Sequence, residues 1–255
     1  MKLLSSRKNV ETILTSRDAK IGQDLVKSLK GEGMLNVTFH QLDLADPASV
    51  DSLARFVGST GGLDVLVNNG AVAFKGSTFG ADEAKTTLAT NLLGTANLTY
   101  KLIPHMRNRP GAGARIINVA SRAGKLGQLS SELQAKFRAD DLTYEGLVAL
   151  TDQFVEDVRL AQHRESGWSN SMYGVSKLAL IAFSNLLGRE VAKDNIAVSS
   201  MCPGYCRTDM SGGKGHKSAE EGADTIIWLA LQERPVRNGF YGERRMLDWT
   251  DPAWE

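Results

Sequence analysis

The sequence has little of what disulfide-rich, metal-binding or membrane proteins require. Two cysteines are too few for a disulfide framework, and four scattered histidines predict no metal site. Thirty basic residues nearly balance 29 acidic ones, and the net charge of +1 indicates no binding to nucleic acid or to an anionic membrane. The longest apolar runs, such as Leu178 to Phe183, are too short to cross a bilayer, and the first residues lack a signal-peptide core. We therefore expect a cytoplasmic enzyme or binding domain.

The residues that are plentiful indicate a chain in which strands and helices alternate. Its 25 glycines suit tight connections, and short runs rich in Val, Ile and Leu are bounded by Gly, Asp, Asn or Ser, as buried parallel strands are. The predicted strands are Thr12 to Thr15, Asn36 to Leu42, Leu63 to Val67, Arg115 to Val119 and Ile196 to Met201. The predicted helices are Ala19 to Lys30, Pro47 to Val57, Ala81 to Arg107, Ser171 to Lys193 and Ser218 to Leu231. This alternation predicts a single α/β domain over residues 1–255, with a mostly parallel sheet covered by helices on both faces.

One segment, about residues 122–172, interrupts the alternation. It is polar at first and then becomes helical, with apolar residues at helical spacing at Leu147, Leu150, Phe154, Val158 and Ala161. Its charged flanks favour an insertion at the surface that carries its own helix. A further core helix is the alternative interpretation.

Tyr173 and Lys177 are the first candidates for chemistry. Residues four apart share one face of a helix, so the phenol and the ammonium can approach each other. A phenol with a pKa near 10 is a poor proton donor or base at neutral pH, but a neighbouring cation lowers its pKa and makes it a plausible general acid or base. The alternative is an exposed tyrosine and a solvated lysine on one helix face.

Polar residues at the ends of predicted strands form a second group of candidates. Ser121 ends one strand, and the carboxyl ends of parallel strands are where ligands bind in open α/β sheets. Its hydroxyl could position a substrate carbonyl, although a strand-ending serine also serves as a turn residue or helix cap. Asn69-Gly70 and Pro203-Gly204 likewise follow strands and are common turn pairs. Asn91 is a polar residue inside an otherwise helical stretch.

Taken together, these residues resemble the short-chain dehydrogenase/reductase family. The resemblance covers nearly the whole chain from about Glu11, and it is closer to the NADPH-dependent carbonyl reductase subgroup, which also carries a long insertion before its catalytic tyrosine. One of the segments that support the subgroup is Cys202-Pro-Gly-Tyr-Cys-Arg-Thr-Asp-Met210. The resemblance implies a Rossmann-like, doubly wound fold and an oxidoreductase that uses NADP(H).

The resemblance also implies roles for individual residues. Tyr173 would protonate the carbonyl oxygen as hydride arrives from the nicotinamide, and Lys177 would lower the pKa of Tyr173 and bind the nicotinamide ribose. Ser121 would orient the substrate oxygen, and Asn91 would hold a water molecule in the proton relay. Cofactor contacts are implied for Tyr173 and Lys177 as well, and for Asp43, Leu44, Asn69, Gly70, Pro203, Gly204, Cys206 and Thr208. Substrate contacts are implied for Phe74, Lys75 and Trp168.

Separate features of the sequence indicate which dinucleotide the chain prefers and whether it is a monomer. Arg17 follows the strand after which an NAD-preferring protein would place an acidic residue, and a guanidinium there suits the 2′-phosphate of NADPH. A surface arginine at a strand end is the alternative. In similar reductases the insertion covers the helical surface through which most relatives pair, which implies a monomer.

The family's glycine-rich phosphate-binding loop is not found in the sequence. A βαβ unit takes about 30 residues, whereas the strand that matches the family's second one already begins at Thr12. We therefore expect the first strand, the loop and most of the first helix to be missing, which would leave buried backbone groups unpaired at about 1–3 kcal/mol each. Two functions stay open: NADPH-dependent reduction of aldehydes, ketones or quinones to alcohols, and a truncated, non-catalytic protein that acts as an interaction module or is unstable.

Overall fold

The structure, a computed structural model, describes residues 10–251 apart from 75–77, 108–112, 235 and 237. The chain divides into two compact units, which we call unit 1 (within Met1–Gly62 and Asn97–His105) and unit 2 (within Leu63–Ala96 and Met106–Glu255). Among the described residues, no helix has the length and apolar character of a membrane span, and no three His, Cys, Asp or Glu side chains cluster as metal ligands. The single domain over 1–255 stays a prediction.

Unit 1 is built on a two-stranded parallel sheet in which Thr12 lies opposite Val37. The helix after each strand begins at an aspartate, Asp18 or Asp46, whose carboxylate accepts a hydrogen bond from a backbone N–H of the first turn. The elements are β1 (Thr12–Ser16), α1 (Ala19–Gly31), β2 (Val37–Gln41) and α2 (Pro47–Ser59). A small apolar core holds them together, formed by Leu14, Val26, Leu29 and Val37.

Unit 2 is built on a five-stranded sheet in the order β3-β4-β5-β6-β7, in which only the last pair is antiparallel. Its strands are β3 (Val65–Asn68), β4 (Ala114–Val119), β5 (Ile196–Cys202), β6 (Gly239–Gly242) and β7 (Arg245–Leu247). Its helices are α3 (Ala81–Leu88), α5 (Ser131–Arg138), α6 (Tyr144–Arg159), α7 (Met172–Glu190) and α8 (Ala219–Leu231), while α4 (Thr95–Leu102) has residues in both units.

Helices cover both faces of the five-stranded sheet. Successive side chains of a strand point to opposite faces. On β4, Asn118 donates a hydrogen bond to Ser184 of α7, whereas Arg115 donates to the backbone of Gln232 just after α8. Helices α7 and α8 therefore lie on opposite faces, and β4 is buried along its whole length.

The structure confirms a Rossmann-like α/β fold with mostly parallel strands. All five predicted strands are present, and the sequence Ser218-x-x-Glu221 forms a capping box at the start of α8. The described strands form two sheets rather than the single sheet predicted, because β1 pairs only with β2 and β3 only with β4. The expected loss of a first strand concerns the chain before the described residues and stays a prediction.

Two further features differ from the prediction. The helix predicted over Ala81 to Arg107 is divided by a π-helical turn at Ala89–Gly94, which separates α3 from α4. Strands β6 and β7 were not predicted, because β6 reads Gly-Phe-Tyr-Gly and is too short and glycine-rich to show a strand pattern.

The insertion contains two helices, α5 and α6. The predicted helical spacing is confirmed in α6, where Leu147, Phe154 and Val158 are buried, while Ala161 lies beyond the helix end with a positive φ of 57°. Helix α5 was not predicted; it begins at Ser130, whose hydroxyl accepts a hydrogen bond from a backbone N–H of its first turn. Both helices pack against α7.

Candidate active site

Ser121 and Tyr173 meet at the carboxyl edge of the sheet in unit 2. Ser121 follows β4 and caps a short 3₁₀ turn, its hydroxyl accepting a hydrogen bond from the N–H of Ala123 at 3.1 Å. The phenol of Tyr173, in the first turn of α7, lies near enough for Ser121 to influence its pKa. Burial raises the pKa of Tyr173, and the Ser121 side chain acts in the opposite direction. The phenol is therefore protonated at neutral pH.

Lys177 lies one turn further along α7 and is only 3% exposed. Its Nζ donates to the carbonyl oxygen of Val119 at 2.8 Å and lies 5.6 Å from the centroid of the Tyr173 ring. Burial lowers the pKa of Lys177 from 10.5 to about 8. We predicted that Lys177 lowers the pKa of Tyr173, but in this structure burial raises it, and the influence that lowers it is Ser121.

Asn91 lies in the π-helical turn and is 1% exposed. Its Oδ1 accepts a hydrogen bond from the Val72 N–H at 2.8 Å, and its Nδ2 donates to the Val72 carbonyl and to the Ser176 hydroxyl, both at 3.0 Å. Ser176 in turn donates to the carbonyl of Tyr173 at 2.9 Å. The side chain of Asn91 thus ties the segment after β3 to the helix that carries Tyr173. Its role in holding a water molecule stays a prediction.

Ser176 is a residue that the sequence analysis missed. It is fully buried beside Lys177, and its hydroxyl links the side chain of Asn91 to α7. A signal was present, because a polar residue stands between Tyr173 and Lys177 in a helix whose other buried positions are mostly apolar.

The loop after β5 holds four of the predicted cofactor residues. Gly204 has a positive φ of 82°, and its N–H donates to the thiol of Cys202 at 3.3 Å. The Cys206 thiol donates to the Pro203 carbonyl at 3.4 Å, while Thr208 is exposed. The positive φ explains the glycine at 204, because other residues are strained there.

Two other predicted regions flank the same edge. Asn69 and Gly70 directly follow β3 and are exposed. Phe74, predicted to contact substrate, is 44% exposed. Lys75 lies outside the described residues. Their contacts with cofactor or substrate stay predictions.

Trp168 lies in the interior of the insertion instead. It is 3% exposed, and its indole N–H donates to Asp157 at 2.8 Å. Its ring packs against Phe154 and Phe137, with ring centroids 5.3 and 6.1 Å apart. The burial of Trp168 does not support the contact with substrate that was predicted for it.

The remaining predicted cofactor residues lie in unit 1. Arg17 follows β1, and Asp43 and Leu44 follow β2, so all three lie at the carboxyl edge of the two-stranded sheet. Arg17 is exposed and makes no ion pair within the described part of the chain. Asp43 is held by its backbone N–H, which donates to the Ser49 hydroxyl at 2.9 Å.

The sequence matches a known family along much of its length. A family model described as short chain dehydrogenase matches residues 4–133 and 162–219. The chain belongs to this family. The stretch between the two matched parts, residues 134–161, falls within the insertion and includes all of α6.

Known relatives and solved structures agree with this membership. Carbonyl reductase (NADPH) 1 of Sus scrofa is 40% identical over 254 residues, covering 95% of this chain and 86% of the relative. The Homo sapiens protein of the same name is 39% identical, covering 94% of this chain and 89% of the relative. Salutaridine reductase from Papaver somniferum superposes with a TM-score of 0.85 at 28% identity, covering 95% of this chain and 94% of that chain. An NADPH-bound carbonyl reductase from chicken fatty liver has a TM-score of 0.65 at 22% identity, covering 91% and 86%, and shows the fold alone.

Proposed function

We propose that this protein reduces small carbonyl compounds, such as aldehydes, ketones and quinones, to alcohols with NADPH. The observation that carries the proposal is the buried Lys177 ammonium 5.6 Å from the centroid of the Tyr173 ring, with Ser121 near enough to the phenol to lower its pKa. The names of the relatives that are about 40% identical over most of the chain support the same reaction.

The chain's own residues supply the proton chemistry. Because burial raises its pKa, Tyr173 holds a proton at neutral pH and can donate it to a carbonyl oxygen that becomes negatively charged. Ser121 orients the same oxygen by a hydrogen bond. Lys177 anchors α7 to the carbonyl of Val119 and is proposed to bind the nicotinamide ribose. Bound NADPH supplies the hydride.

The proposal includes a nicotinamide dinucleotide that carries a 2′-phosphate, and each unit by itself has residues proposed for it. In unit 1, the exposed guanidinium of Arg17 is available for the phosphate, and Asp43 and Leu44 are proposed to frame the adenine. In unit 2, the backbone around Gly204 at its positive φ can approach a ligand closely, as only glycine allows. The other residues proposed for the nicotinamide end are Asn69, Gly70, Pro203, Cys206 and Thr208.

A monomer is part of the proposal. Helices α5 and α6 of the insertion pack against α7, and the family resemblance implies that the insertion covers the helical surface through which most relatives pair. Size-exclusion chromatography with light scattering tests this: a mass near 27.6 kDa is expected, and twice that mass would contradict it.

The function is tested by binding and by turnover. Purified protein is titrated with NADPH while nicotinamide fluorescence is followed, and NADPH oxidation is then measured with a quinone and an aromatic aldehyde. Tyr173→Phe should abolish turnover and leave NADPH binding largely intact, because only the acidic hydroxyl is removed. Tyr144→Phe, the same change on α6 of the insertion, is the matched control and should retain turnover.

The outcomes separate the two open functions. Folded protein that does not bind NADPH would favour the non-catalytic alternative. Turnover that survives in Tyr173→Phe would remove Tyr173 from its proposed role while leaving the reaction itself in place.

A further inference from the structure

Gln128 is a half-buried glutamine in the short 3₁₀ turn that precedes α5. Its carboxamide makes three hydrogen bonds. Nε2 donates to the carbonyl oxygens of Ala123 and Lys125 at 2.9 and 2.8 Å, and Oε1 accepts from the Ser169 hydroxyl at 2.8 Å. Both donors of the amide and one acceptor position are thus in use.

The first two of these bonds fix the turn that carries Ser121. The N–H of Ala123 holds the Ser121 hydroxyl at 3.1 Å, and the N–H of Gly124 donates to the Ser121 carbonyl at 2.9 Å. Because Gln128 binds the carbonyl of the same Ala123, it restrains the residue that orients the Ser121 hydroxyl. The turn is therefore held from both its N–H and its C=O side.

The third bond reaches the segment that leads into α7. Ser169 lies just before Ser171, whose hydroxyl caps α7 by accepting the N–H of Gly174 at 3.0 Å. Gly174, next to Tyr173, packs directly against Gln128, since a Cβ atom at position 174 would lie 2.5 Å from Oε1 of Gln128. One side chain thus contacts the Ser121 turn, the end of the insertion and the first turn of α7.

We infer that Gln128 is a positioning residue for carbonyl reduction, because it contacts both the Ser121 turn and the first turn of α7 and so holds Ser121 and Tyr173 beside each other. The inference rests on the proposed function. Gln128 itself touches neither Tyr173 nor the Ser121 hydroxyl through a hydrogen bond in the structure. A misplacement of about 1 Å between reacting groups costs on the order of 10²-fold in rate.

Gln128→Met tests the inference, because methionine keeps the length of the side chain and removes all three hydrogen bonds. Gln134→Met is the matched control: Gln134 in α5 also donates to a backbone carbonyl, that of Leu129 at 2.8 Å, but does not contact the Ser121 turn. We expect kcat to fall about 10- to 100-fold in Gln128→Met. KM for NADPH should not change, and the control should match the parent protein.

The pH profile of alcohol oxidation distinguishes positioning from general destabilisation. In that direction Tyr173 accepts a proton, so the rate rises with pH through the pKa of Tyr173. The nearby Ser121 side chain lowers that pKa, and its displacement therefore moves the rising limb to higher pH. Gln128→Met should show this displacement and Gln134→Met should not.

Amide hydrogen exchange gives a readout that needs no turnover. Exchange at Ala123, Gly124 and Lys125 should be faster in Gln128→Met than in the control. Ser169→Ala removes one of the three bonds and should lower kcat two- to tenfold, about the effect of one net hydrogen bond; it carries the test if Gln128→Met does not fold.

Each failure has its own meaning. A parent protein without turnover would overturn the proposed function, and the exchange rates would still decide whether Gln128 holds the turn. An active parent whose Gln128→Met variant matches Gln134→Met in kcat, pH profile and amide exchange would overturn the inference about Gln128.

Discussion

Replacing Trp168 with phenylalanine separates a structural role of this residue from the substrate contact predicted for it. Trp168 and Asp157 are 3% and 5% exposed, and the indole N–H donates to the Asp157 carboxylate at 2.8 Å. Phenylalanine keeps an aromatic ring against Phe154 but removes the N–H. The remaining side-chain donor to Asp157 is Gln162, at 3.2 Å.

The cost of this change follows from two contributions. A hydrogen bond to a charged group contributes about 1.5–3 kcal/mol, and its loss leaves a buried carboxylate oxygen without that donor. The smaller ring also leaves a cavity, which adds roughly 1 kcal/mol. We therefore expect Trp168→Phe to lower the free energy of unfolding by about 3 kcal/mol and Tm by roughly 6–12 °C in a chain of this size.

Thermal and urea denaturation measure this effect, and Trp228→Phe is the matched control. Trp228 on α8 packs against Tyr241 with ring centroids 5.9 Å apart and lies outside the insertion. Adding Asp157→Leu to Trp168→Phe should restore part of the stability, since the carboxylate then no longer lacks its donor. KM for carbonyl substrates should stay near the parent value. A Trp168→Phe variant as stable as Trp228→Phe but with a raised KM would refute the reasoning and favour the substrate contact.

Two further predictions concern charge. The pKa of Lys177 is about 8 in the folded chain, below the 10.5 of the unfolded chain. Between pH 7 and pH 10 the unfolded chain therefore keeps a proton that the folded chain loses, and the stability of the parent protein rises with pH by about 2–3 kcal/mol. Lys177→Met should remove this rise. Urea denaturation at both pH values measures the gain, and an equal gain in parent and variant would contradict it. Arg17→Glu should shift the ratio of Kd values from NADPH towards NADH by about 10- to 100-fold, since a carboxylate repels the 2′-phosphate and accepts the ribose 2′-hydroxyl. In fluorescence titrations the exposed Lys20→Glu should leave the ratio unchanged; the same shift in both variants would point to net charge instead.

The sequence predicted those parts of the fold that depend on local pattern. Runs of Val, Ile and Leu placed β1 to β5, and the Ser218 capping box placed the start of α8. Strands β6 and β7 and the division of the strands into two sheets were not predicted, because strand pairing depends on partners that are distant along the chain. The π-helical turn at Asn91 gave only a weak signal, a polar residue in a helical stretch.

The candidate site likewise has residues that a local sequence pattern reveals and residues that depend on distant partners. Tyr173 and Lys177 were recognisable by their spacing, and Ser121 by its position at a strand end. Ser176 and Gln128 act through hydrogen bonds to residues 85 and 41 positions away, Asn91 and Ser169, and a single sequence contains no sign of such pairs. Ser176 does stand out as a polar residue in a mostly apolar helix, but the partners of both side chains follow only from the packing.

The parallel register of the sheet explains why the site forms where it does. Asn68 lies opposite Asn118, and Asn118 opposite Ser200, so β3, β4 and β5 end at the same edge, and the residues that follow them emerge side by side. Helix α7 is anchored to that edge by Lys177, whose Nζ binds the carbonyl of the last residue of β4. The lysine expected to assist proton transfer is therefore also a structural link between helix and strand. Because methionine cannot make this link, Lys177→Met should impair turnover even though it removes the pH-dependent destabilisation caused by the buried cation.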